Sequence, residues 1–339
     1  MTPAATEDRT RELLALEDHI RRAPSAHNTQ PWTLRPGSGG GAVVGWDPAR
    51  ELPAGDPTRR DLYLSLGAFV ETALVVAADA GIPLRAEVRV DAGRHIAARL
   101  LPADRPYETP YTTRTVEART THRGAYAPGR LSTRTLDRLA DGLTHTGLME
   151  LAARELRRHT TRADTWLWRT PAVVRELTRW LRLGRRPAPD GLTAAALGLT
   201  RPQALGLRTA LAAYGPLRRL GLPALLARGQ GDIPDHDGSV LVLTGRPGTP
   251  EDMIDAGRDL VRMWYALTDL GLAVHPLSQL IDCPHTAAAL TRRVGARPLA
   301  VLRAGRPAGP VHRSARIPVD RPALRPVRHP SPATAPTAP

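Results

Sequence analysis

The chain has 339 residues and a formal charge of +14, and all 47 of its basic side chains are arginine. Lysine is absent, while asparagine, phenylalanine and cysteine occur once each, as Asn28, Phe69 and Cys283. A single cysteine excludes an internal disulfide and any multi-cysteine metal site. Glu7 and Asp8 near the start predict no secretory signal, and the lack of a run of about 18 apolar residues predicts no membrane span. A cytoplasmic protein of about two domains is therefore expected.

The positive charge would attract anions. The arginines are scattered, with no aromatic-interleaved basic stripe and no helix-turn-helix pattern, so nucleic acid is not an expected partner. Where arginine has replaced every lysine, many guanidiniums are ordinary solvated charge. The reverse holds for Asn28: in a chain that has shed this residue type, the one that remains has a specific task.

In chain order, residues 6–22 read as a helix with Thr6 as its cap and Leu13, Leu16 and Ile20 on one face. Pro24 stops it. Strands follow at Trp32–Arg35 and Ala42–Trp46, around a Gly-rich turn at 37–41. An apolar helix spans 60–80, and strands fit Leu84–Val90 and His95–Leu101. After the polar run 112–126 come a helix at 133–143, a strand at Met149–Ala152 and a helix at 158–183. Residues 184–236 carry little strand pattern and many Pro and Gly breaks. A buried strand is predicted at 238–245, then a helix at 251–270, a strand at Leu272–His275, a helix at 286–295 and a strand at Leu299–Arg303. From 322 to 339 the chain is Pro- and Thr-rich and too poor in apolar residues to order.

Two stretches repeat: "GAFVETALVVAADAGIPLR" from Gly67 and "GRDLVRMWYALTDLGLAVH" from Gly257. Each places Asp (Asp79, Asp269) and a second glycine (Gly81, Gly271) at the same offsets, and 257 − 67 = 269 − 79 = 271 − 81 = 190. Both read as a helix ended by glycine and followed by a strand, so two halves built on one plan are expected.

Three segments carry candidate chemistry. "APSAHNTQPW" surrounds Asn28, whose amide offers both a donor and an acceptor; Ser25 and Gln30 add polar groups beside it. Turn chemistry after Pro24 is the competing reading. "RTTHR" holds Arg119, Thr121 and Arg123, able to grip a phosphate through paired charge-assisted hydrogen bonds, or else a solvated arginine-biased loop. "HPLSQ" follows the strand at Leu272–His275, and "VHRSARIP" carries Arg313 and Arg316. No G-x-S-x-G, P-loop or paired-histidine metal motif is present.

The uninterrupted "APSAHNTQPW" resembles the P-S-x-x-N-x-Q-P-W loop of the FMN-dependent nitroreductase superfamily. With "RTTHR" in mid-chain, the arrangement is similar to the Acg-like branch known from actinobacteria. The resemblance implies an α+β nitroreductase fold. It also implies a tandem pseudo-dimer, with halves at 6–110 and 111–321 and a helical lid-like insertion at about 184–236. Each half retains what the other lost: the first has the loop, the second the arginine clamp. One surviving FMN site and a monomeric chain follow.

The resemblance places Pro24, Ser25, Asn28 and Gln30 against the flavin. It puts Arg119, Thr121, Arg123 and Arg316 at its phosphate, and Pro276, Leu277, Ser278 and Gln279 in the place of a loop that presents backbone N–H groups to its ring. In that family the flavin does the chemistry, so no catalytic side chain is expected. The implied activity is NAD(P)H-dependent reduction of a nitroaromatic, quinone or similar electron-poor substrate. A protein that stores or sequesters FMN is the alternative.

Overall fold

The structure is a computed structural model and describes residues 3–184, 186, 188–228, 238–246 and 248–319. The tail expected at 322–339, and the end of the insertion expected to reach 236, lie outside the described residues.

The first part of the chain forms α1 (Pro3–Ala15), α2 (Glu17–Ile20), β1 (Trp32–Pro36), β2 (Ala42–Trp46), α3 (Arg60–Asp79), β3 (Leu84–Asp91) and β4 (Ile96–Pro102). The remainder begins with α4 (Thr113–Ala118), α5 (Thr133–Asp141), β5 (Gly147–Ala152), α6 (Arg157–Arg169) and α7 (Pro171–Trp180). Two short strands, β6 (Leu181–Arg182) and β7 (Leu192–Thr193), precede α8 (Arg201–Ala212), α9 (Tyr214–Leu217) and α10 (Leu222–Arg228). The chain then returns through β8 (Ser239–Gly245), α11 (Pro250–Asp269), β9 (Ala273–Pro276), α12 (Gln279–Asp282), α13 (Pro284–Val294) and β10 (Arg297–Gly305).

Two four-stranded antiparallel sheets result, in the orders β1-β2-β4-β3 and β5-β8-β10-β9. In each sheet a 20-residue helix, α3 or α11, joins the second strand to the third. The spatial order of first, second, fourth and third strand is the same in both.

Most expected elements are present, and the departures have local causes. The helix expected from Thr6 already runs through it from Pro3, and breaks at Leu16. The helix expected at 158–183 is two helices. Pro171 cannot donate to the preceding turn, so it opens α7 as its first residue instead. The polar run 112–126 contains α4.

α3 and α11 pack along each other and hold the core together. They cross at the two repeat glycines. A methyl group on Gly67 would overlap the Ile254 carbonyl, and one on Gly257 would overlap that of Leu64. The contact is reciprocal, since 254 − 64 = 257 − 67 = 190. Across the same interface the Thr72 and Tyr265 hydroxyls are 2.7 Å apart, and Arg258 donates to buried Glu71 at 2.9 Å.

Both helices end alike. Gly81 and Gly271 take left-handed φ of 71° and 69°, a conformation that glycine adopts without penalty. The next N–H groups reach back, Ile82 to Ala77 at 2.8 Å and Leu272 to Leu267 at 2.9 Å. α3 is the one described helix long and apolar enough to cross a membrane, a departure from the expectation of no such segment. Most of it is buried, because its apolar surface faces α11 and the first sheet.

Candidate functional site

A cavity of about 640 Å³ opens between the Pro24–Asn28 loop, the start of α3, residues 119–125, the β9–α12 junction and the helices that follow β5. It lies within the size range of small-molecule and cofactor sites. Of the residues singled out from sequence, Pro24, Ser25, Asn28, Arg119, Thr121, Arg123, Pro276, Ser278, Gln279 and Arg316 line it. Segments nearly 300 residues apart in the chain thus meet in one space. Gln30 and Leu277 are not among the lining residues.

The loop is held by its own polar groups. Ser25 Oγ accepts from the Gln30 N–H at 2.9 Å. His27, Asn28 and Gln30 have left-handed φ of 48°, 54° and 51°, interrupted by Thr29 at −67°, and none of them is glycine. Asparagine tolerates that conformation better than most residues. Its amide is fully engaged: Nδ2 donates to the Gly191 and Ala315 carbonyls at 3.3 Å each, and Oδ1 accepts from Arg316 at 3.1 Å. The Gln30 amide donates to Pro189 at 2.8 Å and accepts from the Ile317 N–H at 2.9 Å. These two side chains tie the loop to residues 189–191 and to residues 315–317. Trp32, at the end of the motif, stacks on Phe69 with ring centres 5.0 Å apart.

Arg316 is likewise saturated. It donates to the carbonyls of Arg21, Arg22 and Ala23 at 2.6, 3.0 and 2.9 Å, in addition to Asn28. Its guanidinium thus caps the open carbonyls after α2.

Arg119 differs. One Nη donates to the Arg22 carbonyl at 2.7 Å, and its plane lies 4.8 Å from the Trp264 ring centre. Its Nε and other Nη are buried without a partner among the described residues. Each such orphan costs on the order of 1–3 kcal/mol, more for a charged group. The segment that carries Arg119 is fixed: the Trp264 indole donates to Thr120 at 3.1 Å, and the His122 N–H donates to Val274 at 2.9 Å. Arg22 and Arg313 stand close by, and Glu117 faces both, at 3.2 and 3.5 Å. Burial, with the like charges of Arg22 and Arg313 added, brings Arg119 down to about 10. Burial, with the like charges of Arg119, Arg22 and Arg313 added, lowers Arg316 well below its usual range. Burial alone lowers Arg123 to about 10; it donates to the Ala196 carbonyl at 3.1 Å. This end of the cavity is a positive site with free donors.

At the β9–α12 junction, the Leu277 N–H donates to Val301 at 2.7 Å and its side chain sits in a core cluster. Pro276 has no N–H. Ser278 and Gln279 open α12, where N–H groups have no acceptor within the helix.

A second group of charged residues lining the cavity was not singled out from sequence. Arg60 bridges Asp61 and Asp282 at 2.7 and 2.8 Å. Burial holds Asp56 and Asp282 above the ordinary carboxylate range. Burial also raises Asp164 to about 7, lowers His27 to about 4 and keeps His275 neutral. No local pattern marks Asp56, Arg60, Asp164 or Asp282; only tertiary packing brings them to the cavity that His27 and His275, from two of the motifs, also line. Among the described residues no cluster of His, Cys, Asp and Glu could hold a metal ion.

No family model and no curated protein matches the chain. A solved structure that does match is that of the FMN-dependent nitroreductase NfnB from Mycobacterium smegmatis in complex with NADPH. The likeness is 16% in sequence, covers 57% of this chain and 86% of that chain, and has a TM-score of 0.33.

Proposed function

We propose that this chain is an FMN-binding oxidoreductase of the nitroreductase type. It would use NAD(P)H to reduce a nitroaromatic, quinone or similar electron-poor substrate. The observation that carries the reading is Arg119: a buried guanidinium with two unpartnered nitrogens, beside other arginines in a cofactor-sized cavity. A phosphate dianion satisfies such donors by charge-assisted hydrogen bonds. Arg22, Arg313 and Arg123 would add charge, and the N–H groups of Ser278 and Gln279 would meet the ring. Asn28, Gln30 and Arg316 act one step back, shaping the loop. Bound FMN would supply the hydride chemistry.

The reciprocal Gly67–Gly257 contact and the shared strand order support reading the chain as a tandem pseudo-dimer, with halves at 6–110 and 111–321. A two-fold relation makes such self-complementary contacts. With its interface satisfied internally, the chain is expected to be monomeric in the cytoplasm, without membrane or nucleic-acid partners.

One observation favours a second reading, an FMN store with little turnover. The covering segment is fastened to the site: Pro189 and Gly191 accept from Gln30 and Asn28, Asp190 from Arg50 at 3.3 Å, and Ala196 from Arg123. A fixed cover shuts out nicotinamide, whereas a mobile one allows turnover.

The visible spectrum of purified protein, with released flavin counted per chain, tests both readings. One FMN per chain is expected, and none after incubation with FMN would refute the flavoprotein reading. NADPH oxidation with menadione or nitrofurazone then separates enzyme from store.

A further inference from the structure

Asp164 lies on α6, 1% exposed, and lines the cavity. Neither of its carboxyl oxygens has a hydrogen-bond partner among the described residues, and the polar group that acts on it is the side-chain amide of Gln279. An ionised carboxylate in this position would carry a desolvation penalty with no cation to offset it. The geometry therefore favours the neutral acid, which still holds a transferable proton.

We propose that Asp164 is the proton donor of this cavity, the residue that protonates the substrate as it is reduced. The inference rests on the FMN reading above. Reduction of a quinone or nitro group by hydride leaves negative charge on an oxygen or nitrogen of the substrate. The Asp164 O–H bond breaks as the new O–H or N–H bond forms, leaving aspartate, which takes up a proton from water at the cavity mouth. The two electrons come from NAD(P)H by way of the flavin, and the substrate is the oxidant.

The other titratable groups of the cavity are less suited. Asp61 and Asp282 are paired with Arg60, and Asp56 accepts from the Leu62 N–H at 3.0 Å. His27 and His275 are neutral at pH 7. The elements packed on α6 are the turn 153–156 that leads into it, α7, α10, α12 and α13. Their described charged side chains are Arg154 and Glu155 on the turn, Arg175, Glu176 and Arg179 on α7, Asp282 on α12, and His285, Arg292 and Arg293 on α13. α6 itself carries Arg157, Arg158, His159, Arg162 and Arg169. None of these acts on Asp164; burial sets it, opposed only by Gln279, and raises it to about 7.

The test combines a carboxyl titration with turnover. In protein carrying ¹³C-carboxyl aspartate, with and without FMN, one resonance absent from Asp164→Asn should titrate near pH 7. With menadione, wild-type kcat should fall as pH rises past about 7, because the acid form is the donor. Asp164→Asn should keep its flavin, lose that pH limb and fall about 100-fold or more in kcat. Asp164→Glu should restore much of the rate. A carboxyl that titrates in the ordinary range in flavin-loaded protein, or an Asp164→Asn variant with unchanged kcat and pH profile, overturns the donor role alone. Failure to take up FMN at all overturns the flavoprotein reading and this step with it.

Discussion

The two sheets share a strand order but not their connections. In the first sheet, residues 37–41 join the first two strands and 92–95 join the last two. In the second, the corresponding connections run over 153–238 and 277–296 and contain α6 to α10, α12 and α13. The strands and the paired helices α3 and α11 make a repeated scaffold; the long connections of the second sheet add Asp164, Gln279 and Asp282 to a cavity that α3 and α11 line with Arg60, Asp61 and Trp264. The difference between the sheets thus lies in their connections, where loops on a rigid core commonly carry function.

The strongest way to break that comparison is at the helix crossing. Gly67→Ala and Gly257→Ala should each destabilise by about 3–5 kcal/mol, the upper range for single substitutions, because the new methyl meets backbone rather than a flexible side chain. Denaturant unfolding should show similar losses for both. Tolerance of one alone would mean that the two sides are not equivalent.

The next effect separates free donors from structural ones. Arg119→Ala should weaken FMN binding by about 30- to 1,000-fold, the cost of truncating one side of a buried charged contact. Without flavin its Tm should stay level or rise, since two orphaned donors are removed. Arg316→Ala should lower Tm with or without flavin, because it strips the carbonyls of Arg21, Arg22 and Ala23 of their donor. Titration calorimetry and thermal melts read the two effects separately.

A third prediction uses pH. With the folded-state pKa of Asp164 raised to about 7 from an unfolded value of about 3.8, folding favours its acid form. That contribution is full below the unfolded value and is lost as pH rises through about 7. Asp164→Asn should therefore gain stability relative to wild type between pH 4 and pH 8, by on the order of a few kcal/mol. Melting curves at the two pH values would show a constant difference if Asp164 were an ordinary carboxylate.

The smallest expected effect is at the loop. Asn28→Ala should cost about 1–3 kcal/mol, from the hydrogen bonds lost to Gly191, Ala315 and Arg316. Asn28→Gly keeps the backbone conformation but not those bonds, so its melting point should fall between the two if the left-handed φ contributes.

Local pattern in the sequence determined the strands, the two long helices, their glycine stops and the 190-residue repeat. Each of these depends on apolar periodicity or on a residue whose backbone preference overrides its neighbours. The same reading placed ten of its twelve candidate site residues in the cavity lining and found the special standing of Asn28. It did not separate Arg119 from Arg316: both are arginines in polar stretches, and only the tertiary structure decided which guanidinium spends its donors on carbonyls and which keeps them free. Gln30 and Leu277 show the same limit, since a polar side chain and a backbone N–H can each be used up by a distant partner. Asp164, Asp282 and Arg60 left no trace in sequence, because burial and charge pairing arise from segments far apart in the chain, and no spacing along one of them records what the others bring.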